Sequence, residues 1–142
     1  MMNNLMFEKI WEDESLADLM ELKITGISEY VQIYQECYIG KEALKKIGKE
    51  ISEYTYNYSS ECYVEFGGKE GNFTPAFSMR VLPAASSGHM KIEVDFEIAD
   101  NDERKHRACF YIRSELGLLE RLGNALQNMA NGRIDAYALY PQ

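Results

Sequence analysis

The chain has 142 residues, 46% hydrophobic and 27% charged, the profile of one globular domain; it argues against both a disordered and a membrane-spanning chain. A net charge of −8 and a pI near 4.8 oppose binding to nucleic acid and docking on an anionic membrane, since both need a basic footprint. The odd cysteine count (Cys37, Cys62 and Cys109, all in apolar runs) predicts reduced core thiols and no disulfide framework.

Residues 5–11 are apolar with single charges and read as a strand or an edge-covering arm, interrupted by the acidic turn Glu12-Asp13-Glu14-Ser15. Residues 19–24 alternate Met20, Leu22 and Ile24 with Glu21, Lys23 and Thr25, a period of two that predicts a half-buried strand. Gly26 and Ser28 allow a turn. The strand predicted over 30–39 puts Val31, Ile33 and Cys37 on one face and Tyr30, Gln32, Tyr34, Glu36 and Tyr38 on the other. After Gly40, Leu44, Ile47, Ile51 and Tyr54 recur at helical spacing, giving an amphipathic helix over 41–54. Gly48 inside it costs about 1 kcal/mol relative to alanine, so packing must hold that helix.

A polar loop over 56–60 precedes four further strands. These are 62–66, closed by Gly67-Gly68; 77–82, after a turn at Gly71 and Asn72; 90–98, the cleanest alternation in the chain; and 107–113, returning after Asp100-Asn101-Asp102. Ser114 stands where a helix N-cap belongs, with Glu115 in the first turn. Leu119, Leu122, Leu126 and Met129 form the stripe of a second helix, stopped by Asn131-Gly132, and residues 134–140 could add a last short strand. No repeat, linker or low-complexity segment is visible. Short connections between consecutive strands imply antiparallel pairing. The expected architecture is a single α+β domain over 1–142, a mainly antiparallel twisted sheet of about six strands with two amphipathic helices on one face.

Few residues suggest chemistry. His89 and His106 lack the local ligand pairs of a closed zinc site. Ser86-Ser87-Gly88-His89 puts hydroxyls beside an imidazole but has no nucleophile-elbow pattern, and its composition already explains it as a loop. Gly67-Gly68-Lys69-Glu70-Gly71-Asn72 lacks the spacing of a phosphate-cradling loop. Asp100, Asp102 and Glu103 suggest calcium, but Lys105 occupies the position where an EF-hand needs glycine. No catalytic set, metal or cofactor is expected.

Two surface features suggest binding instead. Glu93, Asp95 and Glu97 should project together from one strand, extended by Asp100 and Asp102 and partly neutralised by Lys91, Arg107 and Arg113. Tyr30, Tyr34 and Tyr38 should form an outward stripe, a residue type that gives contact area with a polar tip.

A layout recurs from Glu65 to Met129. It runs Glu65-Phe66-Gly67, Phe77-Ser78-Met79-Arg80, Gly88-His89-Met90-Lys91-Ile92-Glu93-Val94, Ala108-Cys109-Phe110-Tyr111-Ile112 and Glu115-Leu116-Gly117-Leu118-Leu119. With the upstream helix it resembles small uncharacterised bacterial proteins. It is distantly similar to immunity proteins of wall-associated polymorphic toxins, which share the order strand, helix, strands, helix; the chain lacks the Glu-Pro-Asn-Leu run of that family. The resemblance implies a non-enzymatic protein that neutralises a toxin by covering its surface, and the acidic face implies a basic protein partner. An N-terminal stretch unlike a secretory signal and the lack of a membrane-length apolar run lead to the expectation of a cytoplasmic protein. The alternative expectation is a structural or regulatory homodimer through the tyrosine face.

Overall fold

Alternation of apolar and polar side chains builds two antiparallel sheets. The computed structural model describes residues 3–13, 18–67, 75–97 and 106–141. The chain opens with β1 (Asn4–Glu12), β2 (Leu19–Ile27) and β3 (Gln32–Gly40), which leads directly into α1 (Lys41–Tyr54). It continues with β4 (Cys62–Phe66), β5 (Phe77–Val81), β6 (His89–Glu97) and β7 (Arg107–Glu115), then α2 (Leu116–Ala130) and β8 (Ala136–Ala138). The first sheet has the order β3-β2-β1-β8 and the second β4-β5-β6-β7. The α+β class and antiparallel pairing are as the patterning predicts. The described residues form eight strands in two sheets of four, since β1, β2, β3 and β8 pair apart from β4–β7.

The sheets share one core. Phe7 of β1 meets Phe66 and Phe77 of the second sheet at ring-centroid distances of 5.5 and 6.3 Å, and Phe77 packs on Phe96 at 4.7 Å. These four rings are among the largest fully buried side chains. Gly26 completes the seam, since a Cβ there would stand 2.7 Å from the Phe96 ring. The stripes predicted for the helices, Leu44, Ile47, Ile51 and Tyr54 on α1 and Leu119, Leu122, Leu126 and Met129 on α2, enter the same core.

The helices pack on each other through glycine. A Cβ at Gly48 would lie 2.6 Å from the Gly123 carbonyl oxygen, and one at Gly123 would lie 2.7 Å from that of Gly48. The glycine that weakens α1 as an isolated helix is thus what allows the two backbones to approach.

The crossing exposes an internal correspondence of topology that is not visible in the sequence as a repeat. Gly48 and Gly123 are each the eighth residue of their helix. Aligned there, Leu44, Ile47, Ile51 and Tyr54 coincide with Leu119, Leu122, Leu126 and Met129. Each helix leaves a nine-residue strand without a loop, and the strand registers agree: Leu19 opposes Gly40 as His89 opposes Glu115. β2-β3-α1 therefore corresponds to β6-β7-α2, β1 to β5, and β8 to β4. The first unit takes its outermost strand from the far end of the chain.

Three local expectations shift. The cap expected at Ser114 falls on Glu115, whose backbone is extended (φ −147°, ψ 162°) and which makes no side-chain cap bond. The β6–β7 ladder continues to Glu115, turning Ser114 into the core opposite Met90. Tyr30 lies on the turn before β3 and outside the strand. Gly68, Gly71, Asn72, Ile98, Asp100, Asn101, Asp102, Glu103, Lys105, Glu14 and Ser15 fall outside the described residues, and with them the expected loop, acidic turn and calcium-like cluster. Among the described residues no helix is long and apolar enough to cross a membrane.

Candidate functional site

Each sheet turns one face to the core and the other outward. On the first sheet the pleat and register set out rungs on the outer face. Met6, Thr25 and Tyr34 form one; Glu8, Lys23 and Glu36 form the next; Trp11, Glu21 and Tyr38 form the third. A β-bulge between Lys9 and Trp11 changes the phase of β1, so Trp11 emerges on this face although Phe7 points inward. Trp11 stands edge-on to Tyr38 at 6.1 Å, and the Lys23 ammonium sits 4.6 Å above the Tyr34 ring. Tyr34 and Tyr38 are 53% and 56% exposed and Trp11 is 44% exposed, so these rings are held by neighbours and still open to a partner. The rungs carry Glu8, Glu21 and Glu36 against Lys23, and the face is aromatic and net negative. Tyr34 and Tyr38 thus stand where the stripe places them, whereas Tyr30, 87% exposed, projects from the turn.

Lys9, nearly buried on β1, braces the end of this sheet. It pairs with Glu12 at 3.3 Å and Asp135 at 3.2 Å, and Lys41 reaches Glu12 at 3.3 Å. Burial alone would lower the Lys9 pKa; the hydrogen bonds to Asp135 and Glu12 outweigh it and raise the pKa. Lys41 and then Lys9 hold the Glu12 carboxyl below its ordinary range.

The outer face of the second sheet is mixed. Asp95 is gripped by Arg107, Nε at 3.0 Å and Nη2 at 2.6 Å, a bidentate cross-strand pair that raises the arginine pKa. Glu97 is only 4% exposed and has an interaction of its own. Glu93 is half-buried between Arg80 and Tyr111 on the neighbouring strands. The row expected to project as a partly neutralised acidic face is held within the fold at Asp95, by Arg107, and at the buried Glu97; Asp100 and Asp102 lie outside the described residues. Of the cations expected to neutralise it, Arg107 does so. Lys91 and Arg113 instead oppose each other.

His89 Nδ1 lies 3.1 Å from Ser87 Oγ, and its Nε2 lies 3.7 Å from Glu115. All three are exposed, and Ser87 does not line the adjacent hollow formed by His89, Met90, Lys91, Arg113 and Ser114. Efficient acyl transfer needs a water-excluding site, and this turn is open to solvent. The cysteines are free. Burial pushes the Cys37 thiol up to about 12 and the Cys62 thiol up to about 11, which keeps both protonated at neutral pH. Among the described residues no cluster of histidine, cysteine and acidic side chains is set to hold a metal ion.

Sequence reasoning missed Trp11 as a surface residue, because alternation counted from Phe7 without the bulge misassigns its side. It also missed the carboxylates of the first sheet, whose signal was already present in the alternation of Glu21 and Lys23. Comparison with protein-family models, curated proteins and solved structures finds no match to the chain.

Proposed function

We propose that the protein is a non-enzymatic protein-binding module that docks a basic partner on the outer face of the first sheet. The observation that carries this reading is the coincidence there of three exposed aromatics, Trp11, Tyr34 and Tyr38, with Glu8, Glu21 and Glu36 against the single Lys23 of the same rungs. Aromatic side chains are enriched at binding hot spots, and surrounding charges of one sign steer and orient a partner of the other. The net charge of −8 works in the same direction at long range. The distant resemblance of the sequence layout to toxin-immunity proteins points to a toxin domain, neutralised in the cytoplasm by occlusion of its surface, and the acidic face points to its basic charge.

The test is capture from the native lysate on immobilised wild-type protein and on the Tyr34→Ala/Tyr38→Ala variant, eluted with a salt gradient. The reading expects a basic protein that is retained by wild type, released by salt and lost from the variant. Equal retention by both would remove the tyrosine face from the mechanism. Recovery of a second copy of the chain alone would replace the reading with the homodimer.

A further inference from the structure

We propose that the cleft between β7 and the β2–β3 turn binds a small aromatic anion, of the class of an aryl phosphate or a nucleoside monophosphate. Its oxyanion would sit between Lys91 and Arg113 and its ring against Tyr30 and Tyr111. This site is bounded by the second sheet on one side and the β2–β3 turn on the other, and it does not depend on the protein-binding reading. The cleft encloses about 490 Å³, and Tyr30, Phe110 and Tyr111 line it together with the two cations.

Lys91 and Arg113 are direct cross-strand partners on one face, an arrangement of like charges that destabilises a sheet unless an anion relieves it. Among the described residues neither side chain has a carboxylate within ion-pairing distance, although Glu93 and Glu115 occupy the neighbouring rungs. The scaffold does not dictate this pairing: the corresponding positions of the first sheet hold Glu21 and Tyr38. The Lys91 ammonium already lies 5.5 Å from the Tyr111 ring centre.

The backbone of both walls is tied before a ligand arrives. The Arg113 backbone N–H donates to Asn3 Oδ1 at 3.1 Å, and Tyr140 O–H donates to the Arg113 carbonyl at 2.6 Å. The facing turn is tied by Ser28, whose Oγ accepts from the N–H groups of Tyr30 and Val31, each at 3.2 Å. Glu29 lies on that facing wall and repels negative charge, which orients the anion toward β7 and the ring toward Tyr30. Arginine provides a fork for an oxyanion, lysine a point charge, and tyrosine a face for stacking.

Amide chemical shifts of the full chain, titrated with phenyl phosphate, inorganic phosphate and phenol, test the proposal. Phenyl phosphate should give saturable shifts at Tyr30, Lys91, Tyr111 and Arg113. Inorganic phosphate should bind more weakly at Lys91 and Arg113, and phenol should leave them unmoved. Arg113→Gln and Lys91→Gln, both at exposed positions, should each weaken phenyl phosphate by about tenfold, the loss of one charge-assisted contact. Glu29→Gln should tighten it. No saturable shift, shifts confined to other surfaces, inorganic phosphate binding as tightly as phenyl phosphate, or undiminished binding by the Lys91→Gln/Arg113→Gln double variant would each overturn the proposal.

Discussion

Replacing Gly123 by alanine should destabilise the protein, against the ordinary helix preference. A methyl group there would overlap Ser52 Oγ and lie 2.7 Å from the Gly48 carbonyl oxygen and 2.9 Å from the Ser52 nitrogen. Restoring normal contact requires the helices to part by roughly 0.7–1 Å, since such atoms rest about 3.5 Å or more apart. Alanine gains about 1 kcal/mol of helix propensity over glycine. Overpacking costs about 1–3 kcal/mol, and the upper end applies where the obstacle is backbone that cannot rotate away. Separation also thins the contacts of Leu122 and Leu126 with the core they share with Ile47 and Ile51. The net expectation is a loss of about 1–2 kcal/mol. Gly117 supplies the internal control: it lies in the first turn of α2, and a Cβ there meets nothing within 4 Å. Gly117→Ala should be neutral or stabilising by up to about 1 kcal/mol. Urea unfolding at constant slope reads both. The Gly48→Ala/Gly123→Ala double variant should lose less than the sum of the singles, because one separation relieves both overlaps. If Gly123→Ala is as stable as wild type while Gly117→Ala gains as expected, the close crossing is refuted.

The thiols should label in order of exposure, Cys109 first, then Cys62, with Cys37 reacting only as the chain unfolds; rapid labelling of Cys37 by a thiol reagent in the native state would contradict its burial. Burial raises the Cys109 pKa first, and Asp95 and Glu93 add to it against Arg107, so Asp95→Asn should speed labelling at fixed pH; an unchanged rate would show that the carboxylate does not act on the thiol. Glu12 is held below its ordinary pKa by Lys41 and Lys9, so the unfolded chain takes up its proton first. The stabilisation from Glu12 is therefore complete at neutral pH and is lost as pH falls below about 5 toward the lowered value. Glu12→Gln should flatten this acid limb of an unfolding curve measured against pH, modestly because solvent screens the pair; an identical limb in the variant would remove Glu12 from the account.

Much of the secondary structure was legible because its signals are local. Met20, Leu22 and Ile24 declare β2 by alternation, Leu44, Ile47 and Ile51 declare α1 by helical spacing, and Gly132, at φ 77°, ends the segment after α2 as the Asn-Gly pair predicts. Sheet membership was not legible, since it depends on long-range pairing: β8 joins β1 across nearly the whole chain, anchored where Asn4 Nδ2 donates to the Tyr140 carbonyl. The correspondence of the two halves was hidden for a related reason. Its halves share apolar spacing and a glycine, while their outward residues diverge, Glu21 and Lys23 corresponding to Lys91 and Glu93. The acidic row and a partial neutralisation by Arg107 were legible as a pattern, but that Lys91 and Arg113 face each other and that Glu97 is buried follow only from the fold. The aromatic face of the first sheet was half legible: Tyr34 and Tyr38 follow from strand parity, and Trp11 joins them only because of the bulge.

A basic partner that docks on the first sheet through both its rings and its carboxylates must lose affinity when those carboxylates are reversed. The most direct test is the affinity of the captured partner for wild type and for Glu21→Lys/Glu36→Lys, measured across a range of salt, with Glu93→Lys on the second sheet as the control. The double reversal should weaken binding by tenfold or more, about 1.4 kcal/mol, and abolish most of its salt dependence, while Glu93→Lys should change little. Wild-type affinity in the double reversal, or an equal loss in Glu93→Lys, would contradict the account.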